Sequence, residues 1–146
     1  MQLFNTKVIP ADADALWVVP DLPAHMTTAR LLVLTRPFAA GGNEEQTLQR
    51  MMAACKLTAA DYAVLQLEND RQYAWQSIAA AGAPACVLMT GIAPAQLSIH
   101  ALFRLNAPNT FLGRTFIPTG SLAEIEANPA VKKALWAEAL KPVFGL

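Results

Sequence analysis

Strand-like and helix-like patterns alternate three times along this chain, and the alternation predicts an α/β fold: a three-layer sandwich with a central, mostly parallel sheet and helices on both faces. Three observations carry the expectation. The run Leu31, Leu32, Val33, Leu34, stopped by Pro37, is a short unbroken apolar block of the kind that forms a strand buried on both faces. Leu48, Met51, Met52 and Cys55 then recur at helical spacing. Two more strand-like blocks, Tyr62 to Leu67 and Cys86 to Met89, are each followed by a helical pattern.

In chain order, the stretch to about Thr28 carries Pro10, Pro20 and Pro23 among scattered apolar residues and reads as an irregular lead-in or edge element (1–28), leaving 29–146 as a single α/β domain. After the first strand, Gly41 and Gly42 form a loop, Asn43 is placed to cap a helix, and Glu44 and Glu45 suit its positive first turn. A second helix is expected from about Asp70 to Ala81, ended by Gly82. Pro84 precedes the third strand, and Thr90, Gly91 and Ile92 turn the chain toward Pro94, a first-turn proline for a short helix reaching about Ile99. From His100 to Pro118 the pattern predicts two more short strands around the polar loop Asn106 to Thr110, with Leu102, Phe103 and Leu105 before it and Phe111 and Thr115, Phe116, Ile117 after it. Ser121 with Glu124 three residues on forms a capping box, and Asn128 caps a further helix with Pro129 at its first position. Val131, Leu135, Trp136, Ala139 and Leu140 make one apolar face of that helix.

Composition narrows the function. A chain of 146 residues, 54% hydrophobic, buries about two-thirds of its unfolded surface in one core. Charged residues are 15% and sum to a formal net charge of zero, so the footprint needed to grip a phosphate backbone is missing and weak or no direct nucleic-acid binding is expected. No run approaches the roughly 20 apolar residues of a membrane span. Residues Met1 to Pro10 lack the pattern of a secretion signal, which makes the cytoplasm the expected location. Cys55 and Cys86 lie in apolar surroundings, where a thiol is a small buried hydrophobe, so no metal and no cofactor are expected.

The residues able to do chemistry are few. His25 lies in the proline-rich lead-in and His100 at a helix end, and each reads as a capping or surface residue. Ser77, Ser98 and Ser121 lack the flanking glycines of a nucleophile elbow, and neither the three-glycine dinucleotide pattern nor a phosphate loop occurs. The acidic neighbours Asp12 and Asp14, Glu44 and Glu45, and Glu68 and Asp70 read as solvated loops and helix starts. Trp75, Trp136 and Phe144 read as core anchors, and Lys132, Lys133 and Lys141 as the wet side of the last helix. Leu16, Trp17 and Val18 in the lead-in form a candidate partner-binding segment, because tryptophan is enriched at interface hot spots. The strand ends near Thr35 and Gly91 are where open α/β sheets place ligands.

Two stretches carry a resemblance. Gly120 to Trp136, with Ala127-Asn128-Pro129 opening a helix that contains Ala134-Leu135-Trp136, resembles the end of the psi subunit of bacterial DNA polymerase III. Gln46 to Gln66, leading into Leu57-Thr58-Ala59-Ala60-Asp61-Tyr62-Ala63-Val64-Leu65-Gln66-Leu67, resembles a helix followed by a strand in the same subunit. The resemblance implies a uracil-DNA glycosylase-like fold, since psi is similar in fold to those enzymes. A glycosylase of that type needs an acidic or amide side chain after its first strand and a histidine in a later loop. Here the first strand runs into Thr35-Arg36-Pro37-Phe38, and the later loop reads Pro118-Thr119-Gly120-Ser121-Leu122, so both groups are missing. Two cysteines also exclude a four-cysteine iron–sulfur site.

The expectation is therefore a non-catalytic interaction protein of DNA replication or repair, with a replisome subunit as partner. The proline-rich start differs from the N-terminal peptide by which psi engages the clamp loader. The alternatives are an active or vestigial glycosylase, in which Arg36 and His100 line the cleft and Thr119 and Ser121 donate to a flipped base, and a small nucleotide-binding domain using the strand ends near Thr35 and Gly91.

Overall fold

Four large apolar side chains in a row can all be buried only if both faces of their strand are covered, and strand β1 (Leu31–Thr35) has all five of its residues buried. In the computed structural model, which describes residues 22–146, its pleat sends Leu31 and Val33 into one core and Leu32 and Leu34 into another. β1 is flanked in parallel by β2 (Tyr62–Gln66) and β3 (Cys86–Thr90), so that Val33 lies between Val64 and Leu88. β3 pairs in parallel with β5 (Arg114–Thr119), and β5 pairs antiparallel with the short β4 (Asn109–Phe111). The order is β2-β1-β3-β5-β4, a mostly parallel five-stranded sheet with its one antiparallel strand at an edge.

Helices cover both faces. On one side α1 (Asn43–Ala54), α3 (Leu122–Ala127) and α4 (Pro129–Leu135) pack Leu48, Met52, Ile125 and Leu135 over Leu31, Val33, Leu88 and Ile117. On the other, α2 (Trp75–Ala80) and the 3-10 turns Met26–Thr28 and Pro94–Leu97 cover Leu32, Leu34, Val87, Met89 and Phe116. Phe116 is fully buried, with Trp75 edge-on at 5.0 Å and Phe103 stacked at 5.4 Å. Burial alone of such a ring stabilises by about 2–3 kcal/mol.

Several expected boundaries move, each for a local reason. Gly42, not Asn43, is the N-cap of α1, and no side chain caps it; the Glu45 carboxylate instead accepts from Gly41 N at 2.6 Å. α2 begins at Trp75 rather than near Asp70, because the preceding residues are held by the neighbouring 3-10 turn: Tyr73 N donates to Gln96 O at 2.9 Å and Gln72 Nε2 to Ala95 O at 2.6 Å. No strand forms at Leu102 to Leu105. Phe103 turns inward onto Phe111 at 5.8 Å while Leu102 and Leu105 face solvent, and the hairpin is made by β4 and β5 around Leu112 and Gly113, both at positive φ. Gly82 at φ +99° ends α2 as the sequence implies.

The C-terminal run keeps its predicted caps and adds a bulge. Ser121 Oγ accepts from Glu124 N while Ser121 N donates back to the Glu124 carboxylate, and the Asn128 side chain accepts from Ala130 N. After α4 the chain makes a π turn (Trp136–Leu140) before α5 (Lys141–Phe144), with Lys141 N donating to Trp136 O five residues back. Pro142 explains it: a proline has no N–H to give the carbonyl four residues earlier, and its ring presses on that carbonyl. Among the described residues no helix is long and apolar enough to cross a membrane.

Candidate functional site

The chain leaves β1 toward β2 on one side and later crosses to β3 on the other, so the connections diverge at the carboxyl ends of β1 and β3. In a sheet of this order that divergence opens the ligand-binding crevice. Its walls are Thr35-Arg36 after β1, Thr90-Gly91 after β3, and Thr119-Gly120-Ser121 after β5, with Thr35 opposite Thr90 and Thr90 opposite Thr119 in register. The structure thus brings together five of the six residues the sequence marks here: Thr35, Arg36, Gly91, Thr119 and Ser121.

The crevice is closed by the protein's own groups. Gly91 has φ +72°, and a Cβ there would stand 3.0 Å from the Ser121 Cβ and 3.3 Å from the Arg36 Nε, so glycine is what allows those two residues to meet over the strand ends. Each hydroxyl is engaged. Thr35 Oγ1 donates to Arg36 O at 3.2 Å, Thr90 Oγ1 to Leu34 O at 3.2 Å, and Thr119 Oγ1 to Asn106 Oδ1 at 2.6 Å. Ser121 is taken by its capping box, and the Arg36 guanidinium donates to the Asn69 side-chain oxygen.

Beside the crevice lies an open cavity of about 650 Å³, bordered by Gly91, Asn106, Thr119, Gly120, Glu124 and Asn128. The volume suits a small ligand. Its polar border is largely spoken for: one Glu124 oxygen accepts from Ser121 N, and the Asn128 oxygen accepts from Ala130 N and Val131 N. Among the described residues that border the cavity, Glu124 is the single titratable side chain. Neither Asn106 Nδ2 nor Asn128 Nδ2 makes a hydrogen bond among the described residues, so two amide donors on the border of the cavity are not taken up.

The imidazoles are elsewhere. His100 is exposed and borders a separate hollow of about 440 Å³ with Pro94, Ile99, Leu102 and Phe103, none of which borders the crevice cavity. His25 Nε2 bonds Tyr62 O at 2.8 Å, tying the lead-in to the edge of the sheet. Burial pushes the Cys55 thiol up to about 11, and burial and then the neighbouring Cys55 push Cys86 up to about 11, so neither is a nucleophile near neutral pH. Among the described residues no cluster of three or more His, Cys, Asp or Glu could hold a metal ion. Leu16, Trp17 and Val18, with Asp12 and Asp14, lie outside the described residues.

Sequence reasoning missed two further features. Among the described residues Leu102, Leu105 and Leu112 are the large apolar side chains left exposed, and Leu112 holds φ +51° at the hairpin tip, a conformation that costs a leucine about 1 kcal/mol or more. The second is an apolar groove of about 490 Å³ bordered by α1, α3, α4 and the π turn. The leucines escaped because hydrophobic periodicity counts apolar residues without telling which of them remain uncovered, and the groove because it is assembled from elements distant in sequence. Compared with known proteins, the chain matches no protein-family model and no curated protein.

Proposed function

We propose that this chain is a non-catalytic protein-interaction subunit resembling the psi subunit of DNA polymerase III, acting in replication or repair on a uracil-DNA glycosylase-like fold. The observation that carries the reading is the closed crevice: at the strand ends where a related enzyme would hold water and a departing base, every hydroxyl is bonded to the chain itself. Hydrolysis needs a group that positions water and a group that stabilises the leaving base, and loss of one stabilising donor costs on the order of 10²–10³ in rate. The exposed leucines on the loop and hairpin beside the edge strand support a role carried by surface contacts.

Affinity purification of the tagged chain from its native host, at moderate salt, tests the proposal. Recovery of clamp-loader or single-strand-binding-associated subunits in stoichiometric yield is the expected result, and their reproducible absence overturns it. A second reading, a vestigial base or nucleotide pocket, is favoured by the 650 Å³ cavity and the free Asn106 amide donor. It predicts a thermal shift with uracil or nucleotides by mass action, and abasic sites in uracil-containing oligonucleotides if catalysis survives.

A further inference from the structure

The groove on the helical face has a composition that specifies its occupant. Its floor is apolar: Met51 from α1, Ile125 from α3, Leu135 from α4, and Trp136 and Leu140 from the two ends of the π turn. Its rim is basic, with Arg50, Lys132 and Lys133. Arg50 is paired with Glu126 at 3.0 Å, whereas Lys132 and Lys133 make no ion pair among the described residues. The rim therefore carries an excess of two positive charges over an apolar trough, on a protein whose net charge is zero.

We propose that this groove docks a short acidic segment of a partner protein, an apolar anchor entering beside Trp136 while flanking carboxylates meet Lys132 and Lys133. This rests on the reading of the chain as an interaction protein and names the class of partner. Three features argue for this occupant. The charge excess selects carboxylates and disfavours a basic or neutral segment. A volume of about 490 Å³ accommodates a few side chains, whereas a second copy or a folded domain needs an interface of about 1,000 Å² or more. Trp136 stands half-buried at the groove where the π turn begins, and tryptophan is a preferred anchor.

Selection of a displayed random-peptide library against the full chain, followed by titration of the enriched peptides by fluorescence anisotropy, tests the proposal without knowledge of the partner. The expected peptides carry Asp or Glu beside Leu, Phe or Trp. Their affinity should fall about tenfold or more in the double variant Lys132→Glu with Lys133→Glu, and fall again as salt is raised. Both lysines are exposed, so the variant should stay folded, melting only slightly below the parent because the new carboxylates stand near Glu126 and in the last turn of α4. Enriched peptides without acidic residues, or acidic peptides bound equally by parent and variant, overturn the proposal. A parent that sediments as a dimer and a variant that sediments as a monomer overturn it in favour of a second copy. Failure here alongside successful recovery of a replisome subunit removes the groove and leaves the interaction reading standing.

Discussion

The helix pair α3 and α4 separates two hollows of opposite character. On one side Glu124 and Asn128 border the strand-end cavity, where the Thr119 hydroxyl, the Asn106 and Asn128 oxygens and one Glu124 oxygen are bonded within the chain. On the other, Ile125, Lys132 and Lys133 border a trough with an apolar floor and two cations that make no ion pair among the described residues. A hollow whose polar groups already satisfy each other gains little by admitting a polar ligand, which would have to displace those bonds. A hollow edged by a half-buried tryptophan and by an excess of positive charge gains both burial and Coulomb energy when it is filled. The contrast is the ground for proposing recognition on the helical face rather than at the strand ends.

The largest expected effect breaks the closed crevice. Gly91→Val combines an unfavourable left-handed backbone with a Cβ 3.0 Å from the Ser121 side chain and 3.1 Å from its Cα, which is backbone and cannot swing aside. Strain and overpacking together should destabilise by about 3 kcal/mol, read as a shift in the urea midpoint. A loss under about 1 kcal/mol would mean that Ser121 and Arg36 are not clamped over the strand ends, and the crevice would return as the leading site.

Next in size is Thr119→Val, which keeps the shape of a side chain only 4% exposed and removes the bond to Asn106 Oδ1. The Asn106 oxygen loses its partner beside the cavity, and the expected cost is about 1–2 kcal/mol in urea denaturation. If the variant instead matches the parent in stability and gains a thermal shift with nucleotides, the bond serves to occupy a ligand site and the comparison of the two hollows weakens.

Much of the sheet and its helices is legible in the sequence, because burial leaves a periodic trace. Leu31 to Leu34 announces a strand covered on both faces, and the capping boxes and caps at Ser121 and Asn128 are local in sequence and appear where local chemistry puts them. Leu102 to Leu105 misleads for the converse reason: two of its apolar residues are exposed, so the pattern that marks a strand there reports a surface. The start of α2 is set by Gln72, Tyr73 and Gln96, partners more than twenty residues apart, and no window of sequence contains that information. The crevice follows the same division. Thr35, Gly91 and Thr119 are readable as strand ends, whereas Asn69 and Asn106, which take up Arg36 and Thr119, arrive from loops whose course only the folded chain defines.

The smallest effect joins folding to the groove through Glu126. The Thr47 hydroxyl donates to its carboxylate at 2.5 Å in preference to Asn43 O at 2.9 Å, since one proton serves both, and this bond, with Arg50 and Lys132 nearby, holds the carboxyl below its ordinary value of 4.5. A carboxyl whose pKa falls on folding stabilises the native state above its unfolded pKa, and the contribution is lost as pH falls through the lower, folded value. Glu126→Gln should therefore melt slightly below the parent near neutral pH, and the two should converge in acid below about pH 4.5. A gap that persists unchanged in acid would assign the difference to packing and not to charge. Binding should move the other way, because removing the Glu126 carboxylate leaves Arg50, Lys132 and Lys133 on the rim with no ion pair among the described residues. Tighter capture of acidic peptides by a slightly less stable protein is the outcome that separates a groove shaped for a partner from a groove left over by packing.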